Sequence, residues 1–343
     1  MTNPVLNDPT RRAALAALGG GAALAAASSA FGTSAHAQSA PTTPAPSVPA
    51  APTRQGGGFY HHRIGDISVT QIVDGARTIP LADGFVRNAS RDQINAALGQ
   101  AYMPANSMTL VYNPMVVTTA GKRVLIDTGN GPDPKGAVGQ LLPNMMAAGI
   151  DPNTIDIVLL THFHGDHVNG VLKADGSLAF PNAEILVPSA EWAFWMDDGN
   201  MSRAPEGGVK QTFVNVRRVF KGLDRRITRY EMDKEVAAGL TPFATFGHTP
   251  GHASLSLQSG NARLLIQADV TNHPALFVRN PGWHAGFDMD GPKAEETRRR
   301  LYDRAVADKV LIAGFHYPFP SLGYAEKDGD GYRVVPVAWN PVL

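Results

Sequence analysis

Residues 155–167 read IDIVLLTHFHGDH, and this stretch decides both the fold and the candidate site. Its first six residues are mostly apolar and predict a short strand that is buried on both faces. Alternate side chains of an extended chain share a face, so His162 and His164 point towards one position. The glycine that follows permits a turn, which lets Asp166 and His167 face a second position. Because four such groups cannot each find a separate partner in a core, the stretch predicts a metal site.

Three further candidate ligands lie just beyond the ends of later predicted strands. His252 closes a GHTPGH segment, and Asp269 and His316 each follow a predicted strand. Irregular backbone at strand ends can aim such side chains into one shared cleft. His248 opens the same GHTPGH segment, but the Thr-Pro-Gly between the two histidines imposes a turn. We therefore predict a supporting role for His248 and a ligand role for His252.

The rest of the chain alternates strand and helix patterns. Strands are predicted over residues 64–73, 110–117, 122–126, 155–160, 184–187, 254–257, 263–267, 309–312 and 332–337. Helices are predicted over residues 135–149 and 292–306. No short repeat is present, which disfavours solenoids and propellers. The pattern favours a layered α/β fold in which polar residues follow the strand ends.

The composition excludes several classes of protein. The chain has 343 residues with 30 Lys plus Arg against 30 Asp plus Glu, and this balance argues against a nucleic-acid partner. It has no Cys, which excludes disulfides, thiol nucleophiles and Cys-ligated metals. Any metal must therefore be held by His and carboxylate side chains.

The motif His162-x-His164-x-Asp166-His167, followed by further ligand-type residues in order, resembles the metallo-β-lactamase superfamily. The resemblance covers residues 59–343 and implies a four-layer αββα sandwich with the site at one edge of two sheets. It also implies a set of seven ligands for two ions: His162, His164 and His252 for the first, Asp166, His167 and His316 for the second, and Asp269 as the bridge. Asp127 matches a buried acid that supports the ligands from behind, and we place Thr161 and His248 with it.

The ligand set predicts a hydrolase with two divalent ions. Such ions share a water and lower its pKa, so that hydroxide attacks an ester or lactone carbonyl. Asp166 is the candidate for relaying a proton to the leaving group. Zinc suits these ligands best, although Mn, Fe or Co can occupy the same set.

The substrate class is open between two related groups, the methyl parathion hydrolases and the acyl-homoserine lactonases. Three segments are similar to the first group in sequence and in position along the chain: residues 61–74, the GHTPGH segment and residues 331–337. Lactonases commonly carry a substrate-contacting Tyr three residues beyond the bridging Asp, where this chain has Asn272. The aromatic pocket of the parathion enzymes is matched only by Trp195, so an ester or lactone with an apolar portion is the favoured substrate. Organophosphate triesters are the alternative.

Three tryptophans are candidates for the substrate pocket. Trp192 and Trp195 lie three residues apart on a predicted helix, and Trp283 lies in a long loop after Asp269. Both settings are also typical of ordinary core packing. A non-catalytic, exported metal- or ligand-binding protein is a further alternative, although a degenerate site usually lacks one of its ligands.

The N-terminal residues predict export. Thr10-Arg11-Arg12 precedes a weakly apolar run and the A-x-A pattern at 35–37, which is typical of a cleaved signal of the twin-arginine type over residues 1–37. Residues 38–58 are rich in Pro and Gly and predict a disordered linker. The hydrolase domain is expected over 59–343, in the periplasm or secreted, without a membrane anchor once the signal is cleaved. The sequence leaves homodimerisation open.

Overall fold

The computed structural model describes residues 56–342. The predicted signal lies outside the described residues, as does the predicted linker apart from its last three glycines. Within residues 56–342, no helix combines the length and the apolar character that a membrane crossing needs.

The first sheet carries the HxHxDH motif at the end of a central strand. Its strands lie in the order β1 (Phe59–Ile64), β2 (Ile67–Ile72), β5 (Met115–Thr119), β6 (Lys122–Ile126), β7 (Ile157–Leu159), β8 (Glu184–Pro188) and β9 (Ile227–Tyr230). The strands from β6 to β9 run parallel, and Ile126 pairs with Leu159 where β6 and β7 end. Residues that follow β6 and β7 therefore emerge at the same edge.

The second sheet supplies the remaining candidate ligands. Its strands lie in the order β10 (Leu240–Ala244), β11 (Ala253–Ser259), β12 (Ala262–Ile266), β13 (Leu311–Ala313), β14 (Leu322–Asp328) and β15 (Gly331–Pro336). Its parallel pair is β12 with β13, in which Ile266 pairs with Ala313. The strands β3 (Gly75–Pro80) and β4 (Ser107–Tyr112) form a separate antiparallel ribbon.

The helices cover the outer faces of the sheets and frame the cleft. They are α1 (Arg91–Gln100), α2 (Leu141–Ala147), α3 (Gly165–Val168), α4 (Ser189–Trp195), α5 (Asp198–Arg203), α6 (Gly208–Phe220) and α7 (Gly291–Asp308). A π-helical segment, Pro274–Val278, follows β12 of the second sheet.

Alternating burial along the central strands produces the layers. Val124 and Ile126 of β6 pack between the two sheets with Leu264 and Ile266 of β12. Leu125, between the first two, packs on the opposite face with the helices α2 and α6. In the second sheet, Leu265 of β12 likewise points away from the other sheet and packs against α7. A strand that is apolar on both faces needs a cover on each, and this arrangement confirms the four-layer αββα sandwich.

Two secondary-structure predictions were wrong in their bounds. The helix predicted over 135–149 is confined to Leu141–Ala147. Gly136 and Gly139 adopt positive φ angles of 69° and 76°, which are incompatible with a right-handed helix, so the helix begins only after them. The apolar run predicted as one strand over 110–117 is divided between β4 and β5, which belong to different sheets.

Candidate metal centre

The candidate ligands converge because they follow the carboxyl ends of two parallel strand pairs. His162 and His164 come after β7, and α3 then places Asp166 and His167 in its only turn. Asp269 follows β12, and His316 follows β13. The two sheets pack face to face, so these strand ends meet at one edge, where ligands of open α/β sheets commonly bind.

One group of ligand atoms consists of three imidazoles. The possible ligand atoms of His162, His164 and His248 lie within 4.8 Å of one another. His162 Nε2 is 3.2 Å from His164 Nδ1, and His248 Nε2 is 2.8 Å from the same atom. Three neutral imidazoles at this spacing suit a borderline-soft divalent ion such as zinc.

The other group of ligand atoms contains two carboxylates. Atoms of Asp166, His167, Asp269 and His316 also lie within 4.8 Å of one another. His316 Nε2 is 3.3 Å from Asp166 Oδ2 and 3.1 Å from Asp269 Oδ2. Asp269 Oδ2 is in turn 3.5 Å from His248 Nε2, so this carboxylate reaches both groups, as a bridging ligand must.

Both histidines of the GHTPGH segment lie beside His162, with 4.9 Å between the ring centres in each case. His252 uses both ring nitrogens in hydrogen bonds: Nδ1 lies 2.8 Å from the Thr245 hydroxyl, and Nε2 accepts from the Asp269 backbone N–H at 3.1 Å. His248 instead presents Nε2 to the imidazole group. The assignment of His252 as ligand and His248 as support stays a prediction, while the three imidazoles whose ligand atoms lie within 4.8 Å of one another include His248. We propose His248 as the third imidazole ligand.

Asp127 and Thr161 hold the motif from behind. Asp127 accepts hydrogen bonds from the Thr161 backbone N–H at 2.8 Å and from its hydroxyl at 2.9 Å. The same carboxylate lies 2.8 Å from His167 Nδ1, which leaves Nε2 of that ring directed at the site. Asp127 has a φ of 58°, a left-handed conformation that Asp and Asn tolerate better than most residues. The carboxylate thus fixes both the tautomer and the orientation of His167.

We expect Asp127→Asn to lower metal affinity about 10- to 100-fold, the usual cost of losing an outer partner of a ligand. Asn keeps the shape and the backbone preference of Asp127 but not its charge. Competition against a chromogenic chelator measures the change. Asp151→Asn is the matched control, because Asp151 only caps an exposed turn at Asn153. Equal affinities in both variants would contradict the role assigned to Asp127.

The charged groups of the site shift one another's ionisation. Burial alone would lower the pKa of His167, but the carboxylates, Asp269 first, raise that pKa well above its usual range. They also outweigh burial at His316 and raise its pKa to about 9. Burial would raise the pKa of Asp166, yet His167 and His316 hold it below its usual value. The site thus keeps its carboxylates ionised and favours positive charge, which divalent ions supply when they displace protons.

Two buried atoms test whether the residues fit a metal. His167 Nε2 and Asp269 Oδ1 are shielded from solvent and have no hydrogen-bond partner within residues 56–342. They lie 3.4 Å apart and both belong to the carboxylate-containing group. A buried polar atom without a partner is costly, and a shared cation satisfies both of these. The residues therefore fit a bound divalent ion.

Two supports of the GHTPGH segment were missed from the sequence. His248 Nδ1 lies 2.9 Å from the buried Asp288, which also accepts from Arg298 at 3.2 Å. Glu191 is fully buried and accepts from the Gly251 backbone N–H at 2.9 Å, as well as from the Thr249 hydroxyl and the Trp195 indole. Nothing in the local sequence marks either acid as buried, because each lies 40 or more residues away from the histidine or loop residue it contacts.

The ligand groups lie on the wall of a cleft of about 1190 Å³. Apolar side chains line much of it: Ile79, Phe85, Leu110, Phe194, Phe287 and Met289. Asp166 is 23% exposed, more than the other acid of its group, and borders the same space. The cleft is therefore large enough and apolar enough to take a substrate of drug-like size beside the ligands.

The three tryptophans predicted for the substrate pocket lie in different surroundings. Trp192 packs on Phe220, with the Arg229 guanidinium 5.1 Å from its ring centre, and it does not line the cleft. Trp283 packs into a neighbouring apolar cluster. Trp195 borders the cleft but is only 1% exposed. Trp192 and Trp195 lie one turn apart on α4 and face α6. Phe194, which lies between them in the sequence, lines the cleft instead.

The fold and the donor set define a metal-dependent hydrolase. The family model of the Metallo-beta-lactamase superfamily matches residues 109–314, and the chain belongs to that family. An N-acyl homoserine lactonase of Bacillus cereus is 24% identical over 244 residues, which are 65% of this chain and 86% of the relative. Another, from Bacillus sp, is 28% identical over 214 residues, or 55% of this chain and 74% of the relative.

Solved structures show the same fold. The hydrolase AbOPH of the beta lactamase superfamily superposes with a TM-score of 0.78 and 26% identity, over 84% of this chain and 100% of that chain. AidC, described as a dizinc quorum-quenching lactonase, gives a TM-score of 0.77 and 24% identity, over 82% of this chain and 98% of that chain. The resemblance drawn from the motif is confirmed at the level of family and fold.

Proposed function

We propose that the protein is a dizinc lactonase or esterase that hydrolyses substrates with an apolar portion. The observation that carries the proposal is the pair of ligand groups joined by Asp269 on the wall of an apolar cleft. The curated relatives support the lactone class, because those named above are N-acyl homoserine lactonases.

The metal ligands and the cleft residues of this chain would have different roles in hydrolysis. His162, His164 and His248 would hold one ion, and Asp166, His167 and His316 the other, with Asp269 between them. When bound, two such ions activate a water and polarise the scissile carbonyl. Apolar residues of the cleft bind the substrate's hydrocarbon portion and exclude bulk water.

Asp166 is the side chain placed to move a proton. The residue lines the cleft, and its lowered pKa keeps it ionised at neutral pH, so it can accept a proton there. Transfer of that proton to the leaving oxygen then needs reach, which its partial exposure provides. Thr161 and Asp127 take no part in this step and only hold the motif in place.

A phosphotriesterase is the second candidate, because the cleft is more aromatic than the sequence indicates. Phe85, Phe194, Phe213 and Phe287 line it. Aromatic walls suit the aryl leaving group of an organophosphate triester. The same two ions would serve an attack at phosphorus.

A kinetic panel on metal-assayed protein tests the proposal. We expect chelator-sensitive hydrolysis of lactones or aryl esters, restored by added zinc, at rates well above those for methyl parathion. A faster phosphotriester reaction would transfer the assignment to the second candidate. Absence of chelator-sensitive turnover on every substrate would overturn both and leave a metal- or ligand-binding protein.

A further inference from the structure

An arginine interrupts the buried face of α7. The other buried residues of this helix are uncharged: Gly291, Ala294, Thr297, Leu301, Tyr302 and Ala305. Arg298 lies among them and is only 2% exposed. Burying a guanidinium costs free energy, and a buried ion pair is often no more stable than apolar residues of the same volume. A residue that breaks the pattern of its own helix in this way is commonly tied to function.

The guanidinium of Arg298 donates to three separate segments beside the metal centre. Nε donates to the Val270 carbonyl at 3.1 Å. Nη1 donates to the carbonyls of Pro281 and Trp283, in each case at 2.8 Å. Nη2 donates to Asp288 Oδ2 at 3.2 Å. Because the N–H groups of a guanidinium form a rigid planar fork, these four acceptors are held at fixed separations from one another.

Two of the four acceptors adjoin candidate metal ligands. Val270 directly follows Asp269, and Asp288 Oδ1 lies 2.9 Å from His248 Nδ1. At the site itself, Asp269 Oδ2 lies 3.5 Å from His248 Nε2. A side chain that holds both ligands from behind therefore determines how far apart their ligand atoms lie.

The next two residues of α7 are also arginines, but they bond only near the surface. Arg299 Nε lies 2.9 Å from Glu295 Oε1, and Arg300 Nη1 lies 3.3 Å from Glu296 Oε1. Exposed pairs one helical turn apart contribute little to stability. The buried arginine is thus the member of this run that is directed at the metal centre.

We propose that Arg298 is a positioning residue of the metal centre, which fixes the separation between Asp269 and His248. It does not line the cleft, so it acts through the Val270 carbonyl and the Asp288 carboxylate. Outer partners of metal ligands commonly set the orientation of those ligands in this way. This inference rests on the proposed function, because it assumes that the two ligand groups bind metal ions.

Arg298→Lys tests the proposal, because lysine keeps the positive charge but carries all its donors on one atom. It cannot reach all four acceptors. We expect its zinc affinity, measured by competition against a chromogenic chelator, to fall about 10- to 100-fold. The visible absorption spectrum of the cobalt-substituted variant, recorded at saturating metal, should also differ from that of the parent protein, because this spectrum reports the ligand geometry. Arg300→Lys is the matched control on the same helix and should change neither quantity.

A second pair of variants separates positioning from stability. Arg298→Met leaves Asp288 as a buried charge without its partner and should lower Tm. Adding Asp288→Leu removes both charges, so the Tm of the double variant should lie above that of Arg298→Met, while its zinc affinity should stay at least as low.

A folded Arg298→Lys protein with the zinc affinity and cobalt spectrum of the parent protein would overturn the proposal. So would a double variant that regains zinc affinity together with Tm, because stability alone would then explain the loss. Neither readout uses a substrate. Absence of turnover on the kinetic panel would therefore count against the proposed function and leave the role of Arg298 decided by metal binding.

Discussion

His248→Ala should bind about one metal ion fewer per chain than the parent protein. Its activity should fall on the order of 10³-fold, because a two-ion site lowers the activation barrier by several kcal/mol. The variant removes the nitrogen that lies 2.8 Å from His164 Nδ1 and 3.5 Å from Asp269 Oδ2. Two imidazoles would then remain in a group that needs three. Metal analysis after dialysis, together with kcat on the best substrate of the panel, measures both effects.

His252→Ala provides the comparison, since its ring is equally buried but both of its nitrogens bond within the protein. We expect this variant to keep two ions when metal is in excess and to lose about 10- to 100-fold in metal affinity, as for other outer supports. If His252→Ala loses the ion and His248→Ala keeps it, the ligand assignment made from the structure is refuted. Circular dichroism of both variants shows that each has folded.

The sequence predicted the motif well because its geometry is local. From His162 to His167, extended backbone followed by one turn is enough to direct four side chains at two positions. The choice between His248 and His252 is not local. It depends on Thr245, whose hydroxyl is hydrogen-bonded to the His252 ring, and on Asp288, which orients the His248 ring from 40 residues away. No pattern within the GHTPGH segment records either contact.

The layers of the fold were predictable for a similar reason. A strand such as β7, apolar on both faces, can only lie between two covers, which predicts a layered α/β fold. The four-layer αββα arrangement was expected only from the resemblance to the metallo-β-lactamase superfamily. The pocket was not predictable in this way. Which face of α4 turns to the cleft depends on how Phe213 and Phe220 of α6 pack against it, and only the assembled structure shows this.

Glu191 shows the limit of sequence patterns most clearly. It lies on α4 among aromatic residues, where a charged residue usually marks the solvent face of an amphipathic helix. In the structure it is fully buried, and burial raises the pKa of its carboxyl group. Hydrogen bonds from Thr249, Gly251 and Trp195 oppose that rise. The carboxyl group thus joins α4 to the loop that carries His248.

We expect Glu191→Ala to lower the free energy of unfolding by about 3–5 kcal/mol, the usual cost of breaking a buried charged network. The substitution leaves the Trp195 indole, the Thr249 hydroxyl and the Gly251 N–H without their acceptor. For a domain of this size the corresponding fall in Tm is about 10 °C. Metal affinity should fall with it, because the same loop positions His248.

Two further variants separate the causes of that loss. Glu191→Gln keeps one acceptor oxygen for the loop but cannot accept from both sides, so its Tm should lie between those of the parent protein and Glu191→Ala. Glu231→Ala removes an exposed carboxylate and should leave Tm and metal content unchanged. A Glu191→Ala protein as stable as Glu231→Ala would show that the buried carboxyl group does not support the loop. Normal stability with lost metal would instead assign Glu191 to positioning alone, since the loop would then shift without loosening the core.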